Sequence, residues 1–292
     1  MKGKILKGVG GFYYVAADNN RIYECKAKGI FRNMKVKPLV GDDCEISILD
    51  EEKCLGNIDA IYDRKNELIR PAAANADQAV IIFALSKPRP STNLLDRFLI
   101  LMDLQHVKTI ICFNKEDIAG DDELETLREM YSSAGYQVLA TSVKEGRGID
   151  ELRKVIKGKT SILAGPSGVG KSSMINTIIP DAGAETGDLS EKIARGKNTT
   201  RHSELLKVDE DTFIMDTPGF SSLMVPDISK DELRLYYPEM VQYEGKCRFD
   251  GCNHINEPDC AVKTAVADGL INETRYENYK LIYNELADRR KW

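Results

Sequence analysis

Ser161-Ile162-Leu163-Ala164-Gly165-Pro166-Ser167-Gly168-Val169-Gly170-Lys171-Ser172-Ser173 decides how this chain is read. A short apolar strand leads into Gly-x-x-x-x-Gly-Lys-Ser, and a helix then starts through Met174, Ile175, Ile178 and Ile179. A phosphate-binding P-loop requires that order of elements. Gly165, Pro166, Ser167, Gly168, Val169 and Gly170 would turn the backbone so that N–H groups converge on phosphate oxygens, with the positive end of a helix dipole behind them. Lys171 would reach the β- and γ-phosphates, the Ser172 hydroxyl would ligate Mg²⁺, and Ser173 joins the nucleotide-binding set.

Upstream, near-continuous apolar runs alternate with helical spacing. Ala79–Leu85, Lys108–Phe113 and Tyr136–Ala140 read as strands. Leu94–Leu104, Asp121–Ala134 and Ile149–Ile156 read as the helices between them. Strands and helices alternating at this length predict a parallel sheet covered on both faces. Two motifs sit at its strand ends, where such sheets place ligands. In Asn114-Lys115-Glu116-Asp117, the Asp117 carboxylate can accept both the N1–H and the N2–H₂ of guanine, which adenine does not offer side by side. Lys115 would lie along the base, and Asn114 would tie this loop to the P-loop. Thr141-Ser142-Val143-Lys144 would aim the Ser142 N–H at guanine O6.

Downstream, the polar stretch Asp181–Arg201 has no apolar period, and a loop of that length inside a domain is usually functional or mobile. Its Thr199-Thr200 pair offers a hydroxyl, Thr200, to complete a Mg²⁺ shell when a γ-phosphate is present. Ser203–Val208 and Thr212–Met215 read as a hairpin. It leads to Asp216-Thr217-Pro218-Gly219, where Asp216 can hold Mg²⁺ through water and the Gly219 N–H can meet a γ-phosphate. His202 reads as a surface loop histidine. A kinase built on the same P-loop is disfavoured by the guanine-type loop at Asn114–Asp117.

Residues 1–69 carry short β-type runs: Phe12–Ala16, Arg21–Cys25, Cys44–Ile48 and Leu55–Ile61. They suggest a small five-stranded barrel of the OB type, and another barrel topology fits nearly as well. Within residues 1–37, nine Lys/Arg face two acids, a net +7 in a chain of net charge −5. Such an arm suits nucleic-acid phosphates or a solvated sheet surface. Arg70–Asn75 reads as a linker. From Ser229 the pattern turns helical, at Asp231–Tyr236, Cys260–Asp268 and Glu273–Arg290. Cys247-x₄-Cys252-x-His254-x₅-Cys260 places three thiols and an imidazole within fourteen residues. That donor set suits closed, tetrahedral, structural Zn²⁺, although the spacing is not the common Cys-x-x-Cys knuckle and unligated cysteines stay open. The other four cysteines, Cys25, Cys44, Cys54 and Cys112, read as small apolar residues. Charged residues make up 30% and hydrophobic residues 42% of 292, the profile of a soluble globular protein. The charged N-terminus is unlike a secretory leader, and no run nears the ~18 apolar residues of a membrane helix. A cytoplasmic protein with few disulfides is expected.

These are the boxes of a GTPase in rotated order. Asn-Lys-x-Asp and Thr-Ser-x-Lys precede the P-loop, while the Thr loop and Asp-Thr-Pro-Gly follow it. With the N-terminal barrel and the Cys/His cluster, the whole chain resembles the circularly permuted bacterial GTPases known as ribosome small subunit-dependent GTPase A. The resemblance implies a multidomain α/β protein: an OB-fold RNA-binding domain at 1–69, a permuted P-loop GTPase domain at 70–222 and an α-helical zinc domain at 223–292. It implies GTP and GDP, Mg²⁺ and one structural Zn²⁺ held by Cys247, Cys252, His254 and Cys260. It implies the small (30S) ribosomal subunit and its 16S rRNA as partners of a cytoplasmic, likewise monomeric, protein acting late in subunit maturation. Lys246, Arg248, Arg289, Arg290 and Lys291 could touch RNA there. Lys171, Thr200, Asp216 and Gly219 would carry the hydrolytic end of the site. Two departures bear on that step. Phe220 stands where Ras-like enzymes place a water-orienting Gln, and Asn198 stands where the family commonly carries a His before the Thr pair. A non-hydrolysing guanine-nucleotide sensor that binds RNA is therefore the rival reading.

Overall fold

Gly10 and Gly11 both take positive φ, 61° and 87°, the backbone a tight hairpin needs between right-twisted strands. They join β1 (Lys2–Val9) to β2 (Phe12–Ala17). With β3 (Ile22–Ala27), β4 (Asp43–Asp50) and β5 (Leu55–Ile61), these strands close a barrel in the order β1-β2-β3-β5-β4. All pairs are antiparallel except the parallel β3–β5. That is the OB-type barrel expected from the short strands. Its core is Ile5, Val15, Tyr23, Cys25, Cys44, Ile46 and Ile58. The computed structural model describes residues 1–29, 31, 36–69, 72–180, 204–217, 223–225 and 227–289.

The strand over Lys2–Val9 was not among the runs read from the sequence, because its lysines hide the alternation. Arg70–Asn75 also differs from the linker expected. Ala73–Ala74 is a short strand, β7, pairing with β6 (Glu67–Leu68). Both alanines are fully buried. Asn75 is buried as well, donating from Nδ2 to the Gly41 carbonyl (3.1 Å) and accepting from the Lys65 N–H (2.8 Å). Gly41 has φ +92°, and a Cβ there would lie 2.1 Å from the Ala74 carbonyl oxygen. Small residues are needed here for close packing rather than for flexibility.

Next come β8 (Gln78–Ala84), α1 (Thr92–Leu104), β9 (Lys108–Asn114), α2 (Asp121–Ser133) and β10 (Gln137–Thr141). They are followed by α3 (Ile149–Ile156), β11 (Thr160–Ala164), α4 (Lys171–Ile178), β12 (Glu204–Lys207) and β13 (Phe213–Asp216). The sheet order is β10-β9-β8-β11-β13-β12. β9–β10 and β11–β13 pair in parallel, and β12 is antiparallel to β13 at the edge. Every residue of β8 and β11 is buried, as strands covered on both faces must be. Ser91 caps α1 by accepting the Leu94 N–H.

The C-terminal helices are α5 (Pro238–Val241), α6 (Ala261–Ala267) and α7 (Glu273–Asp288). Asn272 caps α7 through the Thr274 and Arg275 N–H groups. Where a helix was expected over Asp231–Tyr236, only a 3₁₀ turn, Leu233–Tyr236, forms; its cap, Glu232, makes no side-chain cap bond. The described chain forms two compact units. One is Met1–Val80 with Asp150–Ala164 and Lys171–Gly219; the other is Ile81–Ile149 with Gly165–Gly170 and Phe220–Trp292. All seven cysteines are free, and Cys54, unlike Cys25, Cys44 and Cys112, is not buried. No helix among the described residues is long and apolar enough to cross a membrane.

Candidate functional site

In the second unit, β9 ends on Asn114, which is buried because its side chain knots three segments. Its Nδ2 donates to the Val169 carbonyl of the P-loop turn at 2.8 Å. Its Oδ1 accepts from Thr141 Oγ1 (3.1 Å) and the Val143 N–H (3.3 Å). Lys115 Nζ donates to the carbonyls of Gly168 (2.7 Å) and Lys87 (2.6 Å). The Gly168 and Val169 carbonyls anchor the base-side loop to the P-loop turn, and the Lys87 carbonyl ties it to the segment after β8. Lys87 was not picked out from the sequence, since a backbone carbonyl leaves no residue-type signal.

Asp117 Oδ1 accepts the Ser142 hydroxyl at 2.7 Å. That bond, ahead of all other influences, holds the Asp117 carboxyl below its ordinary range. The carboxylate is thus kept ionised and oriented, ready to accept paired N–H donors. The sequence reading aimed the Ser142 N–H at guanine O6. That N–H is donated to the Arg147 carbonyl at 3.0 Å, closing the turn through Glu145–Gly146. The Ser142 hydroxyl is the group directed at Asp117.

The P-loop turn needs its glycines. A Cβ on Gly170 (φ +96°) would fall 2.4 Å from Asn114 Nδ2, and one on Gly165 (φ +156°) 2.1 Å from the Ile82 carbonyl oxygen. Pro166, Ser167 and Gly168 are partly or fully exposed, while Val169 is buried as the turn's anchor.

In the first unit, α4 opens at Lys171, with Ser172 and Ser173 in its first turn. Lys171 Nζ lies 3.8 Å from Asp216 Oδ1 at the end of β13. Thr217 Oγ1 donates to the Leu163 carbonyl of β11 at 2.8 Å, fixing the exit from β13 beside the P-loop strand. An ammonium at a helix start and a carboxylate at a neighbouring strand end fit a triphosphate with its Mg²⁺. Thr199, Thr200, Asn198, His202, Gly219 and Phe220 lie outside the described residues, as do Arg290 and Lys291.

The Cys/His cluster is gathered in the second unit. One ligand atom from each of Cys247, Cys252, His254 and Cys260 lies within 4.8 Å of the others. His254 Nδ1 is 3.6 Å from Cys247 Sγ and 3.3 Å from Cys260 Sγ, so Nδ1 is the nitrogen turned inward. Tyr276 and Tyr279 hydroxyls hold the loop by donating to the His254 and Asn253 carbonyls, each at 2.6 Å. Burial pushes the Cys252 thiol up to about 12 and lowers the His254 imidazole. Three thiols and a neutral imidazole converging on one point fit a closed structural zinc site, whose charge would hold the thiolates.

One cluster has no precursor in the sequence reading. Arg275 on α7 is fully buried, bonded to Asp96 on α1 and, from Nε and Nη2, to both oxygens of Glu239 (2.7 and 3.2 Å). Asn278 and the Tyr131 hydroxyl complete the Asp96 carboxylate at 2.8 and 3.0 Å. The Tyr237 ring centroid lies 4.6 Å from the guanidinium. The cluster is structural: it locks the C-terminal helices onto α1.

Two family models match. The RsgA N-terminal domain covers residues 2–55, and the RsgA GTPase covers residues 61–226. A protein of Agathobacter rectalis named small ribosomal subunit biogenesis GTPase RsgA is 55% identical, over 100% of both chains. One of the same name from Alkaliphilus metalliredigens is 45% identical, over 100% of this chain and 99% of its own. The crystal structure of YjeQ from Thermotoga maritima superposes with a TM-score of 0.83 at 37% identity, covering 99% of each chain. YloQ, described as a circularly permuted GTPase, gives 0.80 at 36% identity, over 100% of this chain and 96% of its own. The GTPase model spans more than half of the sequence and the relatives run its full length, so the chain belongs to the RsgA GTPase family and is a circularly permuted GTP hydrolase.

Proposed function

We propose that this GTPase is a switch that docks on the small ribosomal subunit late in its maturation, contacts 16S rRNA and turns over GTP faster when docked. The observation that carries the reading is end-to-end similarity to proteins named for small-subunit biogenesis. Family membership sets aside the non-hydrolysing sensor. In this reading the chain is a cytoplasmic monomer divided at 1–69, 70–222 and 223–292.

Asp117, oriented by Ser142, accepts the guanine N–H pair, and Asn114 and Lys115 keep that loop against the P-loop. Residues 165–173 hold the phosphates of GTP or GDP. Ser172 and, in the triphosphate state, Thr200 would hold Mg²⁺, with the Asp216 carboxylate as a further charge for it. When bound, the metal neutralises charge developing on the transferred phosphoryl group. Lys171 supplies the second positive charge there. Phe220 cannot orient a water, which supports slow turnover by the isolated chain.

The basic arm is smaller in effect than its composition suggests. Lys4, Lys7, Arg21 and Lys28 are paired with Asp43, Glu204, Glu51 and Asp59. Lys2 and Lys26 lie over the Tyr62 and Phe12 rings, at 5.8 and 5.1 Å from the centroids. In the zinc domain Arg248 is paired with Asp259, and Arg289 donates to the Val225 carbonyl. Subunit binding should still weaken with salt through counterion release, but with a shallower slope than nine free cations would give. Sedimentation with purified small subunits at two salt concentrations tests this. More pelleting with a non-hydrolysable GTP analogue than with GDP is expected. Equal pelleting in both states, or pelleting indifferent to salt, contradicts the reading.

A further inference from the structure

The β1–β2 register shifts between Ile5 and Lys7, so that Ile5 faces Val15 while Lys7 already faces Tyr14. Leu6 is the extra residue of a β-bulge, and bulges re-aim the side chain that follows. Lys7 is thereby turned off the barrel and reaches Glu204 Oε2 at 2.9 Å. Glu204 is the first residue of β12, and its cross-strand partner on β13 is Asp216. Directly opposed residues share a face with Cβ atoms about 5 Å apart, where like charges repel. Lys171 Nζ lies 3.8 Å from Asp216 Oδ1. Lys7, Glu204, Asp216 and Lys171 thus follow one another from the barrel to the start of α4 as two carboxylates between two cations. Two more contacts tie the same hairpin to the same barrel: Lys207 Nζ to Asn20 Oδ1 at 2.9 Å, and Lys4 Nζ 5.7 Å from the Phe213 ring centroid.

We propose that the Lys7–Glu204 pair sets the charge beside Asp216 and so makes the first strand of the barrel a determinant of magnesium-dependent GTP binding. This rests on Asp216 being the carboxylate at the Mg²⁺ end of the site. Glu204 is a positioning and field-setting residue, acting through Asp216 and touching no ligand. With Lys7 in place its charge is compensated; without Lys7 an uncompensated carboxylate stands next to Asp216 and attracts the cation. Removing Glu204 leaves Lys7 uncompensated, and the cation is repelled. Both side chains are more than a third exposed, so the pair adds little to folding stability. Substitutions there therefore report on the site rather than on unfolding.

The experiment measures the affinity of the full chain for a fluorescent non-hydrolysable GTP analogue across a Mg²⁺ titration. Lys7→Gln should lower the half-saturating Mg²⁺ concentration about twofold to fivefold, and Glu204→Gln should raise it by a similar factor. The double variant Lys7→Gln with Glu204→Gln, which removes both charges, should return to within about twofold of the starting protein. A purely structural contact would move both single variants the same way. Shifts in one common direction, or none, overturn the proposal while leaving the Mg²⁺ assignment standing. If the unsubstituted protein shows no Mg²⁺ dependence, the assignment of Asp216 falls and the proposal falls with it.

Discussion

In the proposed function the choice of base falls to Asp117. Its carboxylate is held by the Ser142 hydroxyl at 2.7 Å, so a substitution changes chemistry without changing the loop. Asp117→Asn should bind GTP far more weakly and gain xanthosine nucleotides, because the amide can donate to the 2-keto oxygen. Unchanged GTP affinity in a competition titration would remove Asp117 from the site. Lys171→Ala should lose most phosphate-dependent affinity, read as a fall in GTP binding. Arg275 poses the opposite case: it touches no ligand, yet Arg275→Ala leaves the Asp96 and Glu239 carboxylates buried without their cation. A loss of about 3–5 kcal/mol is expected in urea denaturation, and a loss under ~1 kcal/mol would show the cluster to be dispensable. Asp117 was legible in the sequence because its neighbours Asn114 and Lys115 and the buried strand before them form a local pattern. Arg275 was not, because its partners lie 36 and 179 residues away and nothing local marks it.

Elements were legible where burial was two-sided or caps were present. β8 and β11 are buried from end to end and mostly apolar, and the strand–turn–helix order around Gly165–Ser172 fixes the P-loop. Elements escaped where charge or brevity masked the period. β1 carries Lys2, Lys4 and Lys7 on a half-buried strand, and β7 is two alanines packed under Gly41. The Cys/His loop was legible from residue type, although its spacing alone left free thiols open. Its geometry now gives a specific expectation: Cys252→Ser, or a strong chelator, should destabilise the α5–α7 region while nucleotide still binds. Metal analysis showing no zinc in well-folded protein would refute the site. Thr200 belongs to this scale as well. Thr200→Ala should leave GDP affinity nearly intact and weaken the triphosphate state, since only a γ-phosphate recruits that hydroxyl.

At the scale of the whole molecule, the rotated order of the GTPase boxes made the family legible in the sequence, because Asn-Lys-x-Asp and Thr-Ser-x-Lys precede the P-loop while Asp-Thr-Pro-Gly follows it. What the chain order could not show was how the barrel meets the switch hairpin, since Lys7 and Glu204 are 197 residues apart. In the proposed function hydrolysis depends on the partner: without a Gln after Asp-Thr-Pro-Gly, the isolated chain should be slow, and by linkage a subunit that favours the GTP state must itself bind more tightly to it. The most direct test is phosphate release by the full chain under saturating GTP and Mg²⁺, with and without purified small ribosomal subunits. A turnover at least ~10-fold higher with subunits, abolished by Lys171→Ala, is the predicted result. Turnover that stays the same whether or not subunits are present would contradict it.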